Sequence, residues 1–270
     1  MYQEYKSAWA ALTAPGADFE ITTTAVRGVD IRTYANAVPN LRDAWATTAA
    51  YGEREYLIYE DERLTYAQAH DHVNAFANWL LAQGVAPGDR VAIAMRNYPE
   101  WLLSYWATLS IGATVVGMNA WWTGPEMLYA LNDSEPKVII VDDERLATLN
   151  QIIEQLPSMQ TVGVRLSSEQ ERVTPWQNVI ANPAPLEAVA IDPDSDACIF
   201  YTSGTTGNPK GAQLTHRGCV SNIWSLMFAG ALQRVLAVQK GLIEADAEPP
   251  IPSALVTTPL FHVTANNCVA

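Results

Sequence analysis

Three short apolar runs, residues 90–95, 113–118 and 138–141, alternate with two segments of helical pattern, and this alternation restricts the fold more than any other feature. Apart from Arg90, Thr114 and Gly117 the runs are apolar at successive positions, the mark of strands buried on both faces. Between the first two, Pro99 and Glu100 open a helix after Asn97, with Leu102, Tyr105, Trp106 and Leu109 on one side. Between the second two, Thr123 and Glu126 stand at capping-box spacing for a helix through Leu131. Strand and helix in regular alternation make a parallel sheet covered by helices. The expected fold class is α/β, mostly parallel sheets flanked by helices.

The pattern extends in both directions. Residues 56–60 and 63–65 read as a hairpin turned at Asp61 and Glu62. Thr65 and Gln68 form a second capping box, and the helix it opens carries Ala69, Val73, Phe76, Leu80 and Leu81 before stopping at Gly84. A helix over 144–156 and a strand over 161–166 come next. Residues 167–190 read as a connector and 197–201 as a buried strand. Residues 241–252 read as an exposed acidic loop, and 254–258 as a last strand.

Several functions are disfavoured. The net charge of -13 argues against nucleic acid as the main partner, since phosphate backbones select for Lys/Arg stripes. Residues 102–122 carry no charge, but Gly112, Gly117 and interspersed hydroxyls fit a buried helix and strand better than a membrane span. The start lacks a signal-peptide pattern. Cys198, Cys219 and Cys268 show no paired spacing and read as free thiols of a reducing, cytoplasmic setting. Asp192, Asp194 and Asp196 imitate an EF-hand opening, yet Ala197 and Ser203 replace its required Gly and Glu, so a solvated turn is expected.

The chemistry concentrates in Y-T-S-G-T-T-G-N-P-K-G, residues 201–211. Gly204 and Gly207 permit positive φ and close ligand approach. Thr202, Ser203, Thr205 and Thr206 supply hydroxyls, and Lys210 supplies a cation. Successive N–H groups in such a loop form an anion-binding concavity suited to a polyphosphate. A kinase-type P-loop is excluded, because Pro209 and Gly211 stand where that template needs Gly and Ser/Thr. The context reads as strand, glycine-rich loop, helix, with Thr215 opening the helix. Of the histidines, His70 and His72 read as solvated, on opposite sides of their helix. His216 reads as a capping or surface group with a nucleotide-sensing alternative, and His262 as lying just after a strand end.

The 201–211 loop resembles the signature loop of the adenylate-forming superfamily, which comprises acyl-CoA synthetases, luciferases and peptide-synthetase adenylation domains. Leu64-Thr65-Tyr66-Ala67-Gln68, the Leu109–Val116 stretch with Asn119, and Pro259-Leu260-Phe261-His262 resemble further elements of that family in the same order. The resemblance implies ATP-dependent activation of a fatty or aryl carboxylic acid to an acyl-adenylate, followed by transfer to coenzyme A. It implies that Ser203, Gly204, Thr205, Thr206, Gly207 and Lys210 hold the β- and γ-phosphates, with Lys210 catalytic and Thr202 touching Mg²⁺. Phe261 and His262 would line the acyl pocket or the thiol's entry. Alternatives are loading of a carrier-protein thiol, a luciferase-like activity, or a non-catalytic nucleotide-binding fragment. Later family elements, including the C-terminal domain with its lysine, are absent. Residues 1–270 are therefore expected to be a partial N-terminal adenylation (AMP-binding) domain, inactive alone.

Overall fold

The structure, a computed structural model, describes residues 2–157, 159–202, 208–248 and 251–269. Helix α1 (Tyr2–Leu12) and the antiparallel pair β1 (Ile21–Val26) and β2 (Val29–Tyr34) lead into α2 (Leu41–Thr47), whose first turn is capped by Asn40. The expected hairpin is present as β3 (Glu55–Tyr59) and β4 (Glu62–Thr65). Thr65 and Gln68 close their capping box on α3 (Tyr66–Ala82), and Gly84 takes the left-handed conformation after it, with φ of +78°.

A seven-stranded sheet forms the centre of the molecule, in the order β11-β10-β6-β5-β7-β8-β9. Its strands are β5 (Arg90–Ala94), β6 (Thr114–Gly117), β7 (Val138–Asp142), β8 (Gln160–Val164), β9 (Val173–Pro175), β10 (Asp196–Thr202) and β11 (Lys210–Thr215). Every pairing is parallel except that of β10 with the edge strand β11. Alternate residues of the central strands feed two cores. Val91, Ile93, Val115 and Ile140 join α3 and α4 (Pro99–Ser110) on one side. Ala92, Ala94, Val116 and Ile139 join α5 (Gly124–Ser134) and α6 (Asp143–Asn150) on the other. All of α4 is buried, which explains the uncharged stretch from 102. Among the described residues no helix is long and apolar enough to cross a membrane.

Some boundaries differ from expectation. Helix α6 stops at Asn150, because Ile152 turns back to pack on Gly124, where a Cβ would meet it at 3.2 Å. The connector 167–190 contains β9 and a short helix α7 (Trp176–Val179), pinned by buried Trp176. Residues 254–258 form no strand, and Leu255 is almost fully exposed. The Thr258 carbonyl accepts from the Asn97 side chain instead of a neighbouring strand. Asn97 does not cap α4, which begins after Tyr98.

Helix α8 (His216–Gln239) starts at a residue with no exposure at all. His216 is a buried group, not a surface one. Its Nδ1 accepts the backbone N–H of Leu41 at 3.3 Å, joining α8 to α2. His70 and His72 are likewise half-buried, and His70 stacks on Trp45 at 4.2 Å. Burial pushes the His216 pKa down to about 4. The unfolded chain takes that proton near 6.5, so between the two values it binds more protons than the native state. Stability should therefore fall as pH drops through this window, by up to about 3 kcal/mol from this group. Urea midpoints measured from pH 7 to 4 should show that dependence weakened in His216→Gln, which keeps an acceptor and does not titrate there.

Candidate active site

Parallel strands bring their carboxyl ends to one edge, the edge where ligands bind in open α/β sheets. Here β5 runs into Arg96-Asn97-Tyr98, β6 into Met118–Trp122, and β10 ends at Thr202. Over the end of β6 passes the chain at Phe261. A Cβ on Gly117 would stand 2.9 Å from the Phe200 ring and 3.4 Å from the Phe261 carbonyl oxygen, so glycine is what permits the crossing. Asn97 fixes the crossing segment by imitating a strand partner. Its Nδ2 donates to the Thr258 carbonyl at 2.9 Å, and its Oδ1 accepts the Leu260 N–H at 2.8 Å.

The result is a cleft of about 530 Å³. Tyr59, Tyr98, Trp121 and Phe261 give it aromatic walls, and Arg96 and Asn97 its polar groups. Phe261 is buried and meets Trp121 edge to face at 5.2 Å. His262 is exposed, with its ring 4.7 Å from that of Phe261. The two expected substrate residues thus stand together at the sheet's ligand-bearing edge.

Beneath the cleft lies an ion pair to which the sequence pattern assigned no role. Asp142 and Arg145 keep side-chain exposures of only 4% and 3%. Asp142 accepts the backbone N–H of Arg96 and that of Arg145, each at 3.0 Å. Arg145 donates Nε to the Ala120 carbonyl at 2.7 Å and Nη1 to Asp142 and Glu144. Glu144 also receives Arg96 at 3.0 Å, and the bond to Arg96, with the charge of Arg145, holds its carboxyl below the usual range. One buried pair therefore joins the ends of β5, β6 and β7. The available signal was an Asp directly after a buried run, in helix-capping position.

Of the signature loop, residues Ser203, Gly204, Thr205, Thr206 and Gly207 lie outside the described residues. Its two anchors are described. Thr202 and Lys210 face each other across β10 and β11, and the Thr202 hydroxyl donates to the Lys210 carbonyl at 3.3 Å. Both are exposed, and Lys210 has no ion-pair partner among the described residues. Gly211 is required by packing, since a Cβ there would lie 2.8 Å from Ile199. Tyr201 anchors the strand below through bonds to Asp133 and the Ala130 carbonyl.

The expected strand–loop–helix order is corrected to strand–loop–strand. β11 returns antiparallel, pairing Thr215 with Asp196, so α8 begins at the amino end of β10, away from the loop. Its dipole cannot serve an anion held between Thr202 and Lys210. The aspartate turn is not simply solvated either. Asp194 takes two bonds from Arg217, at 2.7 and 3.0 Å, and this pairing lowers its pKa. Among the described residues no cluster of three or more His, Cys, Asp or Glu could hold a metal ion.

Residues 44–270 match the model of the AMP-binding enzyme family. The chain belongs to that family. It is 33% identical over 190 residues to the 3-hydroxybenzoate–CoA/4-hydroxybenzoate–CoA ligase of Thauera aromatica, covering 68% of this chain and 34% of that one. It is 30% identical over 192 residues to the medium-chain fatty-acid–CoA ligase of Escherichia coli, with the same coverages. Among solved structures it resembles the anthranilate CoA ligase AuaEII in complex with anthranoyl-AMP, with TM-score 0.63, 29% identity and coverage of 66% of this chain and 35% of that one. It also resembles the N-terminal domain of FACL13 from Mycobacterium tuberculosis, with TM-score 0.66, 25% identity and coverages of 85% and 54%. The chain spans about a third of the length of these curated relatives.

Two substitutions should separate the site's supports. Asp142→Ala removes the buried partner of the Arg145 guanidinium, leaving it only the exposed Glu144 carboxylate, and should cost about 3 kcal/mol in denaturant unfolding. Asn97→Ala should cost no more than about 2 kcal/mol and speed hydrogen exchange in residues 257–262 while sparing β5. Equal costs for the two would contradict this division.

Proposed function

We propose that this chain is the ATP-engaging part of an acid–CoA ligase that converts a fatty or aryl carboxylic acid to its acyl-adenylate and then to the coenzyme A thioester. The observation that carries the reading is the Y-T-S-G-T-T-G-N-P-K-G segment, anchored by Thr202 and Lys210 at the end of a parallel strand, in a chain belonging to the AMP-binding enzyme family. The CoA-ligase names of its relatives support the thioester step over a carrier-protein acceptor.

In the first half-reaction the acid's carboxylate attacks the α-phosphate of ATP and pyrophosphate leaves. No protein nucleophile is needed, so the residues act by positioning and by neutralising charge. Lys210, exposed and free of ion pairs among the described residues, meets the β- and γ-phosphates with Ser203, Gly204, Thr205, Thr206 and Gly207. The Thr202 hydroxyl donates its hydrogen bond to the Lys210 carbonyl, leaving its oxygen lone pairs for a cation. Thr202 would thus hold Mg²⁺, which neutralises the polyphosphate when bound. The acid's body lies in the aromatic cleft against Phe261, with exposed His262 at the thiol's approach. Cys198 and Cys219, buried and unpaired, fit a cytoplasmic setting.

The test uses a polypeptide of the relatives' full length that carries this sequence. Lys210→Ala should slow acid-dependent ATP–pyrophosphate exchange about a hundredfold or more. Thioester formation from supplied acyl-adenylate should change little, because the phosphates have already left. Equal slowing of both half-reactions would remove Lys210 from the phosphate site, and absence of exchange with any acid would sink the function.

A further inference from the structure

A second charged cluster lies behind the cleft wall. Arg165 directly succeeds β8 and takes φ of +52°, a conformation unfavourable for a side chain of its size. Its guanidinium donates two parallel bonds to the carboxylate of Glu62, at 2.8 and 2.7 Å, and Nε donates to Glu100 at 3.1 Å. Its Cζ also lies 4.9 Å from the ring centres of both Tyr59 and Tyr98. Those rings meet edge to face at 5.6 Å, and both line the cleft, whereas Arg165 does not.

The topology gives this cluster a task. Tyr59 and Glu62 are partners across the tip of the β3–β4 hairpin, a sheet that shares no ladder with the seven-stranded one. Glu100 and Tyr98 belong to the start of α4, and Arg165 to the end of β8. One guanidinium therefore grips the hairpin tip through Glu62 and Tyr59, and the main sheet's edge through Glu100 and Tyr98. A planar fork suits two parallel bonds and ring contacts together; a lysine ammonium offers neither.

We propose that Arg165 is a positioning residue that holds the hairpin tip against Tyr98 and so fixes the Tyr59 wall of the cleft, which sets the size of acid the cleft admits. The inference rests on the reading of the cleft as the acid's site. Opening the tip moves the Tyr59 wall outward and admits wider rings, although no residue lining the cleft is substituted.

The test is calorimetric titration of a polypeptide of the relatives' full length that carries this sequence, with benzoate and with 2-naphthoate, alongside hydrogen exchange of residues 55–65 and 90–94. Wild type should favour benzoate. Arg165→Met and Arg165→Lys should each shift the ratio of the two dissociation constants about tenfold toward 2-naphthoate, the scale on which a pocket's size discriminates. Exchange should rise in 55–65 and stay unchanged in 90–94. Glu62→Gln added to Arg165→Met should produce no further shift, since both cut one tie. A general loss of stability would weaken both acids alike, so an unchanged ratio in a folded variant overturns the proposal. If no form binds either acid, the acid reading of the cleft fails. Exchange then decides about Arg165: a rise confined to 55–65 retains its hold on the tip, and no rise overturns it. Should Arg165→Met fail to fold because Glu100 loses its partner, Glu62→Gln alone, on a half-exposed side chain, cuts the same tie.

Discussion

The buried pair of Asp142 and Arg145 is the interaction on which the site depends. Strand ends are where a parallel sheet runs out of ladder partners, and backbone groups there must find others or face water. Asp142 and Arg145 supply these partners to Arg96 and Ala120, the residues at which β5 and β6 leave the sheet. Burying two charges is costly, and an apolar pair of similar volume often gives equal or greater stability. What an apolar pair cannot do is accept an N–H from one strand and donate to a carbonyl of another. The pair thereby exchanges stability for a fixed spacing between strand ends, and the cleft floor inherits that spacing.

The remaining parts of the cleft are placed by close approach. Gly117 lets Phe261 cross β6, and Gly211 lets β11 return over Ile199. Asn97 then holds the crossing segment through two backbone bonds, although residues 254–258 form no strand. Phe261 consequently sits buried beside Trp121 while His262 points outward from the same turn. One irregular segment thus presents a buried ring and an exposed imidazole side by side, the two groups that the proposed acyl pocket and thiol approach would use.

Most of the sheet was legible in the sequence because its strands are buried on both faces and its helices carry explicit caps. Both capping boxes, at Thr65 and Thr123, are present. Legibility ended where local pattern and tertiary demand part. The run at 254–258 has strand-like residues but no strand to pair with. The helix that Thr215 caps begins where its sequence signal stands, but residues 210–215 ahead of it were not read as a strand; Gly211, with no room for a Cβ beside Ile199, lets them return along β10. His216 looked superficial in a polar Leu-Thr-His-Arg context, and only the docking of α2 buries it. Asp142, Arg145 and Arg165 drew no reading from the sequence, because the groups that give them a role, Arg96 and Ala120, Glu62 and Glu100, lie far from them in the chain.

The hairpin form of the signature loop bears on how a chain of net charge -13 would hold a polyphosphate. A helix N-terminus would contribute about half a unit of positive charge near the ligand, but α8 starts at the far end of β10. Arg96 is engaged by Glu144, and Arg217 by Asp194. Lys210, without an ion pair among the described residues, is therefore the cation that a phosphate at the loop can recruit without breaking another pair. The protein's net negative field is damped within about 10 Å at 0.1 M salt, so a single uncommitted ammonium can outweigh it locally. This arrangement places more of the demand for phosphate affinity on Lys210 than on any cation already paired to a carboxylate.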